Sequence, residues 1–171
     1  MAEKKRVYWD ACAWLGLLNG ETEKMQALQH VWESARLGHV EIWTSAFCIA
    51  EVYKVKCDGQ WANGAADSDA RIDGLFDADF VKVVQVDIEI ARLARSLLRS
   101  HDKMKKPSDG IHLATAVHWN LDQLHTYDGN DLLGLIGVKR ADGGELDICR
   151  PNKLDGDNLF TVADESQHDP A

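Results

Sequence analysis

Five acidic residues have the types and positions that could do chemistry: Asp10, Glu51, Asp109, Asp128 and Asp131. Each lies beside an apolar segment, at or near a place where the pattern passes from strand to helix. Asp10 ends the run Val7-Tyr8-Trp9, and Asp128 follows Leu124-His125-Thr126-Tyr127. In an open α/β sheet, sites form in the crevice beyond the carboxyl ends of the strands. Carboxylates gathered there repel one another, so a cation is needed to neutralise them. A hard divalent ion with oxygen ligands is the simplest candidate.

The elements that must position these acids follow from periodicity and capping. Lys5 to Asp10 reads as a first strand, and Ala11 to Leu18 as a short helix stopped by Asn19-Gly20. Thr22 is placed to cap a longer helix, in which Met25, Leu28, Trp32 and Ala35 recur at helical spacing until Gly38. Val40 to Trp43 is a second strand. Thr44 or Ser45 is a natural N-cap for a helix running to about Lys56, with Glu51 inside it. Residues 57–67 read as a loop, residues 69–76 as a weak helix and the β-branched run 80–86 as a strand. Asp87 caps the next helix, with Ile88, Ala91, Arg95 and Leu98 on one face. Pro107 opens a helix reaching about Asn120, which puts Asp109 in its first turn. A short strand within 121–127, a short helix over 130–136 and a last strand over 145–149 complete the pattern. Strands alternating with helices predict an α/β sandwich, three layers deep, with a mainly parallel central sheet flanked by helices.

At 171 residues the chain is long enough for one domain with an adequate core. We place that domain at residues 1–150 and an acidic, poorly ordered tail at 151–171. The net charge is −9, but it is uneven. Residues 141–171 hold eight acids and two bases, so the body before them carries only −3. The sequence contains no apolar run long enough for a membrane span, and the start has no secretory h-region, so a cytoplasmic protein is expected. Cys12, Cys48, Cys57 and Cys149 make no C-x-x-C pair, which argues against structural zinc. No P-loop is present.

Four segments together resemble the PIN-domain ribonucleases, and within them the bacterial toxins of the VapC type. They are Val7-Tyr8-Trp9-Asp10-Ala11-Cys12, Thr44-Ser45-Ala46-Phe47-Cys48-Ile49-Ala50-Glu51-Val52, Ser108-Asp109-Gly110-Ile111-His112-Leu113-Ala114-Thr115-Ala116, and Leu124-His125-Thr126-Tyr127-Asp128-Gly129-Asn130-Asp131. The resemblance places Asp10, Glu51, Asp109 and Asp128 at the family's metal-site positions, with Asp131 as an accessory acid. Thr126 matches the small hydroxyl residue ahead of the last main acid. Cys12 departs from the pattern, which usually has Ser, Thr or Asn there.

The resemblance implies a metal-dependent endoribonuclease using Mg2+ or Mn2+ and leaving a 5′-phosphate and a 3′-hydroxyl. Asp10 and Asp109 are expected as direct ligands. Glu51 and Asp128 are expected to ligate or orient metal-bound water, with Asp131 behind them. RNA contact needs positive charge near the pocket. Lys54, Lys103, Lys105 and Lys106 are the candidates, with Thr126 beside them and Lys56, Arg92, Arg95 and Arg99 further out. The toxin resemblance also implies an antitoxin partner and a homodimer.

Each acid has a plainer explanation. Asp10 could only cap a helix, Glu51 could be a solvated helix residue, and Asp109 could complement the helix dipole. Asp128 and Asp131 suit a turn. The plainer account needs these coincidences to fall in one order and spacing. Two rival functions are a PIN fold kept for protein contacts and a phosphoaspartate phosphatase or receiver. The phosphatase expects a second Asp where this chain has Cys12.

Overall fold

The computed structural model describes residues 4–53 and 65–152. Five strands form one sheet in the order β3-β2-β1-β4-β5, with every neighbouring pair parallel. These are β1 (Lys5–Trp9), β2 (Val40–Ser45), β3 (Val81–Val84), β4 (Gln123–His125) and β5 (Asp147–Cys149). The helices are α1 (Ala11–Leu18), α2 (Thr22–Arg36), α3 (Ala46–Glu51), α4 (Ala65–Phe76), α5 (Ile88–Ser100) and α6 (Pro107–His118). The predicted α/β sandwich with a mainly parallel sheet is what the structure contains.

Side chains alternate across a strand, so β1 feeds two cores. Val7 and Trp9 face a cluster completed by Trp14, Leu28, Val31, Ile42, Ile72 and Phe76, drawn largely from α1, α2 and α4. Tyr8 faces the other side, with Leu113, Val117, Leu121, Leu124 and Leu132. Ile90 and Ala94 of α5 close over Ala114 of α6. Trp9, Trp14 and Trp32 are packed ring to ring within the first core, with centroids 5.0 to 6.5 Å apart.

The helix starts are set by local chemistry. Asp10 Oδ1 accepts from the Ala13 amide at 3.1 Å, Ser45 Oγ from Cys48 at 3.4 Å and Asp87 Oδ1 from Ile90 at 2.9 Å. Each satisfies an amide that has no partner inside its helix. Pro107 opens α6, where its missing N–H costs nothing. After α1 the chain turns through Gly20 at φ +62°, a conformation that glycine adopts without steric cost.

Several boundaries differ from the sequence expectation. Thr22 is the first residue of α2 and Glu21 its cap. α3 ends at Glu51, because Val52 leaves the helical region at φ −87°, ψ 56°. α4 begins at Ala65 rather than near Asp69. The helix expected over 130–136 is a series of turns. Asp128 Oδ1 accepts the amides of Asn130 and Asp131 at 3.0 and 3.2 Å as an N-cap would, but the bonds that follow, Leu133 N–H to the Asp128 carbonyl and Leu135 N–H to the Leu132 carbonyl, do not repeat the helical spacing of four. Lys54, Lys56, Cys57, Trp61 and the tail from residue 153 lie outside the described residues. Among the described residues, no helix is long and apolar enough to cross a membrane.

Candidate metal centre

The topology brings the acids together from distant segments. β1 and β4 are parallel neighbours, so Asp10 and the turn at Asp128 leave the sheet at the same edge. β2 lies on the other side of β1 and delivers Ser45 and α3 there too. Asp109 enters from the first turn of α6.

Asp109, Asp128 and Asp131 converge most tightly. One carboxylate oxygen from each lies within 4.8 Å of the others. Asp109 and Asp131 are buried and Asp128 is half-buried. Asp109 Oδ2 is buried with no hydrogen bond, although an unpaired buried carboxylate oxygen is costly. Burial, opposed by Lys106 and reinforced by Asp128 and Asp131, pushes the Asp109 carboxyl up to about 6. Burial also raises Asp128, but the amides of Asp131 and Asn130, and then Lys106, outweigh it and hold that carboxyl below the usual range. The donor set is all oxygen, partly negative and incompletely paired, which fits a hard divalent cation.

Asp10 is connected to this trio through Thr126. The Thr126 hydroxyl hydrogen-bonds the Asp10 carboxylate and accepts the Asp128 amide at 3.0 Å. One buried hydroxyl thus fixes acids from two motifs. Burial raises the Asp10 carboxyl, and His112, Thr126 and the α1 amides oppose that rise. Cys12 lies within the fields of Asp10, Asp128 and Asp109. Burial first and those three acids next push its thiol up to about 12, so it stays protonated.

Glu51 stands at the end of α3, half-buried, with Oε2 2.7 Å from His112 Nε2. That is ion-pair distance without hydrogen-bond geometry, and Oε2 accepts no hydrogen bond. Asp10 and Glu51 both act on the buried Tyr8 hydroxyl, although neither joins the Asp109–Asp128–Asp131 group.

The basic residues divide. Lys106 Nζ stands 3.3 Å from both Asp128 Oδ2 and Asp131 Oδ2, turned into the acids rather than away from them. Lys103 Nζ donates to the Gly134 carbonyl at 3.2 Å, and Lys105 is exposed. Arg92 pairs with Glu89 on α5. Lys54 lies outside the described residues. Thr126, grouped above with the RNA contacts, is fully buried with its hydroxyl committed to Asp10 and Asp128, so it positions acids instead.

Sequence reasoning gave no role to Tyr8, Ser45 beyond its cap, or His112. Two periodicities point to them. Tyr8 precedes Asp10 by the strand period of two. His112 follows Asp109 by three residues, one helical turn deeper.

The sequence matches the PIN domain family over residues 7–132. The chain belongs to the PIN-domain family. Several solved structures share its fold. VapC20 of Mycobacterium tuberculosis, described as a sarcin-ricin loop cleaving toxin, aligns at 18% identity with a TM-score of 0.55, over 72% of this chain and 91% of its own. A toxin–antitoxin complex from Klebsiella pneumoniae aligns at 16% identity and TM-score 0.55, over 86% of this chain and 99% of its own. FitAcB from Neisseria gonorrhoeae aligns at 15% identity and TM-score 0.53, over 86% and 99%. No curated protein matches the sequence.

Proposed function

We propose that the chain is a divalent-metal-dependent endoribonuclease and the toxin of a toxin–antitoxin pair. The observation that supports catalysis best is the convergence of Asp109, Asp128 and Asp131 within 4.8 Å, with Asp109 Oδ2 buried and unpaired. Phosphodiester cleavage needs an activated water, a sink for transition-state charge and a stabilised leaving oxygen, and bound Mg2+ or Mn2+ supplies all three. Asp109, Asp128 and Asp131 would hold the ion, with Asp10 fixed beside them by Thr126. Glu51, half-buried beside His112, would accept a proton from the attacking water. Lys106 would turn from the acids to a phosphate oxygen of the RNA, with Lys103 and Lys105 as further phosphate contacts. The products carry a 5′-phosphate and a 3′-hydroxyl.

The partner half rests on the family and its neighbours. VapBC2 from Rickettsia felis is described as bound to a DNA fragment from its promoter, and FitAB as bound to a DNA fragment. On this reading a basic antitoxin covers the acidic hollow, and the toxin forms a homodimer.

A non-enzymatic PIN module is favoured by one contact. Lys106 already neutralises Asp128 and Asp131, so the cluster can be held without metal. The two readings separate when purified protein is incubated with total RNA, with and without Mg2+ or Mn2+, beside Asp10→Ala and Asp109→Asn. Metal-dependent cleavage abolished by both substitutions supports the nuclease. Cleavage that persists in both variants contradicts it. Thermal stabilisation by metal without cleavage favours the module.

A further inference from the structure

We propose that His112 is a positioning residue that holds Glu51 toward the metal centre, with Tyr8 and Ser45 anchoring its ring from behind. This inference rests on the nuclease reading and deepens it. His112 is 3% exposed on α6. Its Nδ1 lies 2.8 Å from the Tyr8 hydroxyl, which lies 3.0 Å from Ser45 Oγ, and Ser45 Oγ also accepts the Cys48 amide. The ring is therefore tied to β1 and to the start of α3, the helix that ends in Glu51. Its second nitrogen, Nε2, stands 2.7 Å from Glu51 Oε2. A carboxylate only accepts, so a hydrogen bond to Glu51 requires the proton on Nε2.

Packing alone does not account for the arrangement. A core histidine needs interior partners for its nitrogens, and here one nitrogen faces a half-buried acid at the end of α3. Phe47 packs edge-on at 6.0 Å between ring centroids and limits rotation of the imidazole. The present contact is close but off the N–H direction. Such contacts tighten when the reacting groups assemble. The same logic operates when an outer partner orients a ligand, and its loss there costs roughly 10- to 100-fold in metal affinity or activity.

The test is a double-mutant cycle read by Mn2+ affinity, using electron paramagnetic resonance of the free ion, and by RNA cleavage in parallel. His112→Ala is expected to weaken Mn2+ binding roughly 10- to 100-fold. In the Glu51→Gln background the same change is expected to add nothing, because the group it positions is gone. His112→Gln, which keeps a donor near Nε2, should recover most of the affinity. Tyr8→Phe, which keeps the packing, should give an intermediate loss. If His112→Ala fails to fold, His112→Gln and Tyr8→Phe carry the comparison.

Wild-type affinity in His112→Ala, or in Tyr8→Phe where that variant stands in, overturns the inference. An equal further loss in the Glu51→Gln background also overturns it, since that marks a general structural role. Wild-type protein that neither binds Mn2+ nor cleaves RNA rejects the nuclease reading and takes the inference with it. Wild-type cleavage with an indifferent His112 rejects the inference alone.

Discussion

His112 and His125 are both buried, and each is held by an aromatic residue of β1. Tyr8 holds one and Trp9 holds the other, so the two networks lie on opposite faces of the sheet. Around His125 every polar atom is used. Trp9 Nε1 donates to Nδ1 at 3.2 Å, which leaves the hydrogen on Nε2 to reach Gln123 Oε1 at 3.0 Å. Gln123 then donates to Asp147 Oδ2 at 2.6 Å. Burial, then Lys5, pulls His125 down to about 4, with only Asp147 opposing, so the ring is neutral at pH 7. The His112 network instead ends on half-buried Glu51, whose Oε2 accepts no hydrogen bond. A closed network holds a fold together. An open one leaves capacity for something that binds.

The largest expected effects separate the two faces by function. Asp109→Asn should lower metal-dependent RNA cleavage by more than about 100-fold, beyond the loss typical of an outer partner. His125→Gln, assayed where it is folded, should cleave at close to the wild-type rate. A reversal of these outcomes, seen in the initial rates of RNA cleavage, would break the comparison.

A second difference is the sign of the pH dependence. An unfolded histidine protonates near 6.5 and folded His125 near 4, so the unfolded chain takes up the extra proton first. Stability is therefore lost as pH falls from 6.5 to 4, by about 3 kcal/mol from this residue. Asp109 runs the other way. Its folded carboxyl keeps its proton up to about 6, while the unfolded one ionises near 3.8, so its contribution grows as pH falls through the same window. Urea unfolding at pH 7 and 4.5 should show a steeper acid-side loss in Asp109→Asn and a shallower one in His125→Gln. Parallel curves for all three proteins would contradict the assignment.

Much of this arrangement is readable from sequence because its rules are local. Asp10, Ser45 and Asp87 announce helix starts by residue type, and alternation in β1 assigns Trp9 and Tyr8 to opposite faces. The matching order of strands and helices follows from the same periodicities. What is not readable depends on contacts across the chain. His112 meets Glu51 only because α6 packs on the face into which α3 ends, and neither residue has a local signal for the other. Asp131 is expected from sequence behind the main acids, but its grouping with Asp109 and Asp128, more tightly than Asp10 or Glu51, depends on where α6 and the turn after β4 meet. Thr126 has the composition of a surface contact, yet its hydroxyl is drawn inward by two polar groups that need it.

Smaller effects sharpen the contrast on the open side. Thr126→Val keeps the shape and removes the hydroxyl, leaving the Asp128 amide without its acceptor. A loss of about 1–3 kcal/mol is expected in chemical denaturation, together with weaker metal binding. Unchanged Mn2+ affinity in that variant would mean that Thr126 does not tie Asp10 to the trio. Lys106→Met should have the smallest effect. Removing an ammonium 3.3 Å from two of the acids should lower the Mn2+ concentration needed for half-saturation about threefold, more at low salt than at high. A higher requirement would place Lys106 among the groups that assist binding.

Isothermal titration of Mn2+ into wild-type protein and Asp109→Asn addresses the divalent centre without depending on any RNA. The account predicts saturable binding to the wild type and at least a tenfold loss of affinity in the variant, with both proteins folded by circular dichroism. Equal affinity in the two, or no saturable binding to the wild type, would contradict it.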